Sequence, residues 1–203
     1  MKTTALVLVA LATGMVGARA APRAIDPDWP CEQVKVPALS VAALWTGPSI
    51  DPYLTTWQQD TRIADLVGQL VQRRVPIEQA QARIDDFAKQ EGADKQTKLL
   101  ALFAGLFETL DEERASVVVG LSRFGGRQKE LAGNLRAEEE ALGAAQSNAT
   151  PDQAKVTELT QHIAWDAQVF ESRRQSLRFA CDVPNIIEQR LFALARTIQP
   201  LLN

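Results

Sequence analysis

No proline interrupts the chain between Asp94 and Ser147. A segment of that length, with apolar residues recurring at three- and four-residue steps, predicts one long helix. Leu99, Phe103, Leu106, Leu110, Val117, Leu121 and Phe124 make up its main stripe. Leu100, Leu102 and Phe107 widen that stripe in the first half, as a helix packed against several neighbours requires. Past Phe124 only Leu131, Leu135 and Leu142 remain, with charged residues between them, the pattern of a coiled-coil seam.

The stretch from Ser147 to Gln153 is rich in turn residues. It predicts a reversal with Thr150 as N-cap, Pro151 at the first helical position and Gln153 completing a capping box. Val156, Leu159, Ile163, Phe170 and Leu177 then return at near-heptad steps. Counting outward from the turn sets Leu142 against Val156 and Leu159, and Leu135 against Ile163. The two arms therefore form an antiparallel coiled-coil hairpin over approximately residues 125–176. Gly125-Gly126 sits where the stripe narrows, and two glycines inside a helix cost roughly 1.5–2 kcal/mol relative to alanines. They fit either a hinge or a close helix crossing. Asp182-Val183-Pro184 predicts the restart of a last helix, with Ile186, Ile187, Leu191, Leu194 and Ile198 inward.

Before the long helix, two shorter ones are expected. The first is capped by Asp51, has Pro52 at its first position and runs through Trp57, Ile63, Leu66, Val67, Leu70 and Val71 to Arg73-Arg74. The second opens at Pro76, carries Ile77, Ala80, Ile84 and Phe87, and ends at Gly92. Residues 21–50 hold five prolines, with Pro52 just beyond, and read as an irregular strap lying across the helical body. A single turn at Ser40–Trp45 is expected within it, stopped by Gly47-Pro48, with Trp29 and Trp45 among its apolar anchors.

Residues 1–20 have the form of a cleavable signal peptide: Lys2, a short apolar run from Ala5 to Val16, then Ala18-Arg19-Ala20. The apolar run is too short for a hydrocarbon core of roughly 30 Å, and no later segment is apolar enough to span one. The expected location is the periplasm or the exterior of a bacterium, Gram-negative on the evidence of the alanine-rich signal. Two cysteines, Cys31 and Cys181, remain after cleavage. In an oxidising compartment they predict a disulfide, since a redox pair would favour the close C-x-x-C spacing that is absent.

With 46% apolar residues the chain can build a real core, and a net charge of −3 gives no basic face for nucleic acid. Catalytic signatures are scarce. Asp111-Glu112-Glu113 and Asp85-Asp86 are consecutive acids, which point in different directions on a helix rather than across a cleft. The nucleophile-elbow, Walker and H-E-x-x-H patterns are absent, so an enzyme is not the favoured reading. His162, the one histidine, stands a turn from both Glu158 and Asp166, and the hairpin register brings Glu138, Glu139 or Glu140 near. These residues are candidate ligands for a divalent cation, although a solvated acidic face accounts for the same pattern. Arg123, Arg127, Arg173, Arg174 and Arg178 form a basic collar around the hairpin base, suited to an acidic partner or anionic headgroups or simply to neighbouring glutamates.

The sequence thus predicts an all-α protein: residues 1–20 signal peptide, 21–50 strap, and 51–203 one helical domain whose hairpin projects from a bundle. The expected function is an exported interaction adaptor, scaffold or assembly factor, meeting a protein partner or a second copy through the hairpin and needing no cofactor. The alternative is a helical bundle that binds a small ligand or a metal, with a pocket among Trp57, Phe103, Phe107 and Trp165 or a cation at His162.

Overall fold

The protein's structure is a computed structural model that describes residues 26–202. The expected signal peptide and the start of the strap lie outside the described residues. Five α-helices follow one another: α1 (Val41–Leu44), α2 (Thr61–Leu70), α3 (Ile77–Gln90), α4 (Lys95–Ser147) and α5 (Gln153–Ile198). Short 3-10 turns occupy Asp51–Tyr53, Trp57–Gln59, Gly92–Asp94 and Gln199–Leu202, and no strand occurs among the described residues. The all-α expectation and the hairpin are both present.

Helices α4 and α5, 53 and 46 residues long, pack antiparallel and give the molecule its shape. At their base, α2, α3 and the segments before α2 surround them. Every residue from Leu99 to Phe107 is buried there, because α4 has neighbours on all sides. Ile187, Leu191, Leu194 and Ile198 of α5 complete this core with Ile63, Val67 and Leu70 of α2 and Ala80, Ile84 and Phe87 of α3. Trp45 stacks on Phe103 with ring centroids 4.0 Å apart, and its indole nitrogen donates to the Pro48 carbonyl. Arg190, nine-tenths buried, donates to the carbonyls of Leu70 and Val75 and so closes the C-terminal end of α2, where a cation suits the helix dipole. Burial lowers its pKa, by disfavouring the charged form.

Three expected helix starts are corrected. The first predicted helix is broken: Asp51-Pro52 opens only a 3-10 turn, and α2 starts at Thr61. Asp60, in extended conformation, is its N-cap and accepts from the amides of Arg62 and Ile63. Trp57 explains the break. Its ring lies so close to Gly105 that a Cβ there would meet it at 2.8 Å, and its indole donates to Glu108, so the chain must turn to seat it. At the hairpin tip the cap is Asp152 rather than Thr150, accepting from Ala154 and Lys155. A carboxylate there adds a favourable charge at the positive end of the helix. Finally, Pro184 does not begin a new helix but lies buried inside α5. Proline in a helix interior costs about 3 kcal/mol. Pro184 is buried and lines a small cavity with strap residues Trp29, Val34 and Val36, and nearby Gln33 donates its side-chain amide to the carbonyl of Cys181. Pro76 immediately precedes α3 and Gly92 follows it at φ +53°, as expected.

The strap is ordered along its described length. Cys31 and Cys181 form a disulfide, their Cα atoms 5.7 Å apart. The Val36 carbonyl accepts from Arg114, which is buried and also bound to Glu188 at 2.6 Å, and the Leu39 amide donates to Asp111. Gly125-Gly126 marks neither a hinge nor a crossing of two helices, since α4 runs through it unbroken. It is a close approach of the strap: a Cβ on Gly125 would fall inside the Asp28 carbonyl and 3.2 Å from Pro30.

Gly125→Ala is therefore expected to destabilise the protein by about 1–3 kcal/mol despite the better helix propensity of alanine. Gly133→Ala and Gly143→Ala, where a Cβ meets nothing, should each gain about 0.5–1 kcal/mol. Urea denaturation of the three variants decides this, and a Gly125→Ala protein as stable as the parent would refute the clamp. Reducing the disulfide, which closes a separation of 150 residues, should cost roughly 4–5 kcal/mol in the same assay.

Candidate functional site

Burial along α4 stops at Gly125 and resumes in α5 at Cys181. Between those positions the two helices touch only each other and, near the base, the strap. This is the projecting arm. The register is fixed by Glu138, which meets His162 Nδ1 at 2.9 Å, and by Gln128, whose amide donates to the Phe170 carbonyl at 3.3 Å. Both agree with the pairing counted from the turn.

The arm's root carries a polar tie from the strap. Asp26 accepts from Lys35 Nζ at 2.6 Å and from Ser122 of α4 at 2.8 Å, while Lys129 of α4 donates to Asp28 and to the Pro27 carbonyl. The Lys35 ammonium, the Asp28 amide and the Ser122 hydroxyl hold the Asp26 carboxyl down to a pKa of about 2. A depressed carboxyl stabilises the fold above its unfolded pKa, and that contribution is lost as pH falls through the folded value. None of these partners was marked by the sequence, because a lone Asp in an irregular segment gives no period to read.

Of the predicted metal candidates, the structure brings together His162 and Asp166, adds Glu138 from α4, and leaves Glu158 out. One donor atom from each of the three lies within 4.8 Å of the others. Glu158 turns instead to Lys155 at 3.0 Å. One imidazole and two carboxylates are a possible set for a divalent ion, but the Glu138–His162 hydrogen bond already occupies Nδ1. The hydrogen bond to Glu138 raises the His162 pKa above its ordinary value, helped by the charges of Glu138, Asp166 and Glu158. The second oxygen of Glu138 is buried with no hydrogen-bond partner.

The predicted apolar pocket is not assembled. Phe103 is fully buried under Trp45, Phe107 is in the core, Trp57 lies at the base and Trp165 is 65% exposed far out on the arm. The long-helix stripe that suggested Phe103 and Phe107 also makes them core. Trp57 instead borders a polar cleft with Tyr53, Thr97 and Lys98, in which Lys98 is paired with Asp60. That pairing raises the Lys98 pKa and lowers that of Asp60, so neither is poised as an acid or base near neutrality. The acidic runs are dispersed, with Asp111 on the strap, Glu113 facing Arg73 at 3.5 Å and Asp86 facing Lys89. Within the collar, Arg174 holds Glu171 at 2.7 Å, and with Gln175 it lowers the Glu171 pKa to about 2. Arg178 lies over the Phe179 ring, 5.2 Å from its centroid.

Among the described residues no helix is long and apolar enough to cross a membrane. Comparison with protein-family models, curated proteins and solved structures finds no match to the chain.

The His162 imidazole should titrate above its usual value of about 6.5, and Glu138→Gln should bring it down. A group with a raised folded pKa stabilises the fold below its unfolded pKa and loses that contribution as pH rises through the folded value. The arm should accordingly fray more readily above neutrality than below it. Proton NMR of the single histidine reads this directly, and a pKa at or below the ordinary value would contradict the pairing.

Proposed function

We propose that this is an exported helical adaptor, scaffold or assembly factor that presents the α4–α5 hairpin to a partner. In this reading the chain enters the periplasm on its N-terminal signal, loses it after Ala20 and acquires the Cys31–Cys181 bond there. The observation that carries the reading is an asymmetry of order. The base is heavily buried and tied by a disulfide, a buried Arg114 paired with Glu188 and the Gly125 contact, whereas the described residues from 126 to 180 include no buried one. A helical pair that contributes so little to the protein's own core, yet is held so firmly at its root, suits presentation of a surface. Trp165 supports this, since a tryptophan 65% exposed on the arm is the kind of residue that dominates protein contacts.

The test replaces residues 137–163 by a short turn and compares this variant with the full chain in crosslinking capture from the native periplasm. The base should keep its cooperative unfolding, and the partner caught by the full chain should be lost. Trp165→Ala should weaken that partner's binding by about tenfold or more. A partner retained at full strength by the shortened chain would end the presenting-arm reading.

A further inference from the structure

A pair of antiparallel helices leaves two grooves, one on each side of the seam, and in this hairpin they differ. The strap fills one: Asp28 and Pro30 lie against Gly125, and Trp29 and Val36 lie near Val118 and Pro184. The other groove is open. Val117, Gly120, Leu121 and Phe124 of α4 face Leu177 and Ala180 of α5 around a cavity of about 270 Å³ whose walls are almost wholly apolar. Gly120 helps to create the space, since a Cβ there would meet nothing within 4 Å.

One heptad towards the tip from Gly120 stands Arg127, and one heptad towards the tip from Ala180 stands Arg173. A heptad step keeps a residue on nearly the same helix face. The register set by Gln128–Phe170 and Glu138–His162 therefore places the two arginines opposite each other across the open groove. Both are exposed, and neither has an ion pair or hydrogen bond among the described residues, in contrast to Arg174 on Glu171 and Arg178 over Phe179. Glu130, one turn beyond Arg127, pairs with neither. Two like charges facing across a groove repel unless an anion lies between them, and a guanidinium fork is well matched to a carboxylate or a phosphate.

An apolar floor that ends in two facing cations is complementary to a molecule with an alkyl tail and an anionic head. We propose that this groove binds a single-chain anionic amphiphile, its alkyl chain along Val117–Phe124 and its carboxylate or phosphate between Arg127 and Arg173. The floor extends about two helical turns, or ~10 Å at 1.5 Å per residue, which matches a medium-length alkyl chain. The two arginines stand at one end of the groove, which suits a single headgroup better than a helix with acidic residues spread along its flank. The site lies at the root of the arm, outside the tip segment on which the adaptor reading depends, so each reading can fail without the other.

Isothermal titration calorimetry of the mature chain with dodecanoate, dodecyl phosphate and dodecyltrimethylammonium, each below its micelle-forming concentration, tests the assignment. Both anions should bind saturably at one site, and the cation about tenfold more weakly or worse. Arg127→Glu combined with Arg173→Glu should reverse that preference. Gly120→Leu should fill the groove and abolish binding while leaving the melting temperature unchanged or higher, because the position has room and leucine is the better helix former. Equal binding of anions and cation would reduce the groove to an unselective apolar patch and overturn the proposal. So would anion binding that survives Gly120→Leu, binding to phosphatidylglycerol vesicles without binding of the monomeric amphiphiles, or no binding at all.

Discussion

A long two-helix arm has an intrinsic weakness: a pair of helices has only one seam to bury, and everything outside the seam is solvent. In this chain the seam beyond Gly125 contributes no buried residue until Cys181, so it can supply little of the free energy that fixes the arm's position. The root of the hairpin is therefore the constraint on which the rest depends. There the strap crosses the groove between α4 and α5, its backbone in contact with Gly125, its Cys31 bonded to Cys181 and its Val36 carbonyl held by Arg114. The glycine is what allows this approach, because any side chain at that position would occupy the space of the Asp28 carbonyl. The cost of a glycine in mid-helix is offset by the third layer it admits.

The disulfide and the Arg114–Glu188 ion pair act on different parts of the problem. The Cys31–Cys181 bond restricts the unfolded chain, because it closes almost the full length of the folded unit. The Arg114–Glu188 pair acts within the folded state: Arg114 is buried between α4, α5 and the strap, and its donors go to one carboxylate and one carbonyl. A buried cation missing either partner is costly, so this residue sets the position of three segments together. Pro184 is tolerated in the same neighbourhood for a related reason. It is buried beside the strap, where Gln33 ties the neighbouring Cys181 carbonyl to the strap.

The parts of this fold that were legible in the sequence are those controlled by period and by backbone stereochemistry. The wide apolar stripe from Leu99 to Leu110 marked the buried stretch of α4, its narrowing past Phe124 marked the start of the arm, and Pro76 and Gly92 bracketed α3. The Cys31–Cys181 pairing followed from two cysteines and no close motif. What was illegible depended on contacts between segments distant in sequence. Asp60 outcompetes Asp51 as a cap because Trp57 must be seated on Gly105. Pro184 stays in a helix because the strap covers it. The role of Gly125 needed the path of Asp28, which no pattern encodes. For the candidate site the balance is similar: His162 and Asp166 could be placed by helical spacing and Glu138 by hairpin register, but the register could not say that Glu138 rather than Glu139 or Glu140 would meet the imidazole.

The inequality of the two grooves links the fold to its chemistry. Two antiparallel helices are nearly symmetric about their seam, and only the strap distinguishes the sides. On the strap side, Gly125 and Gly126 admit a backbone from within the chain, and Asp26 and Asp28 bring carboxylates to Lys35 and Lys129. On the open side, Gly120 provides comparable room, and Arg127 and Arg173 provide cations with no carboxylate among the described residues to meet them. The closed groove thus shows in one molecule what the open groove lacks: an apolar segment seated against small residues and a carboxylate, Asp28, meeting a cation of α4, Lys129. The same physical rules that explain why the strap stays in place, burial of apolar surface and pairing of opposite charge, define the chemistry of whatever fills the other side.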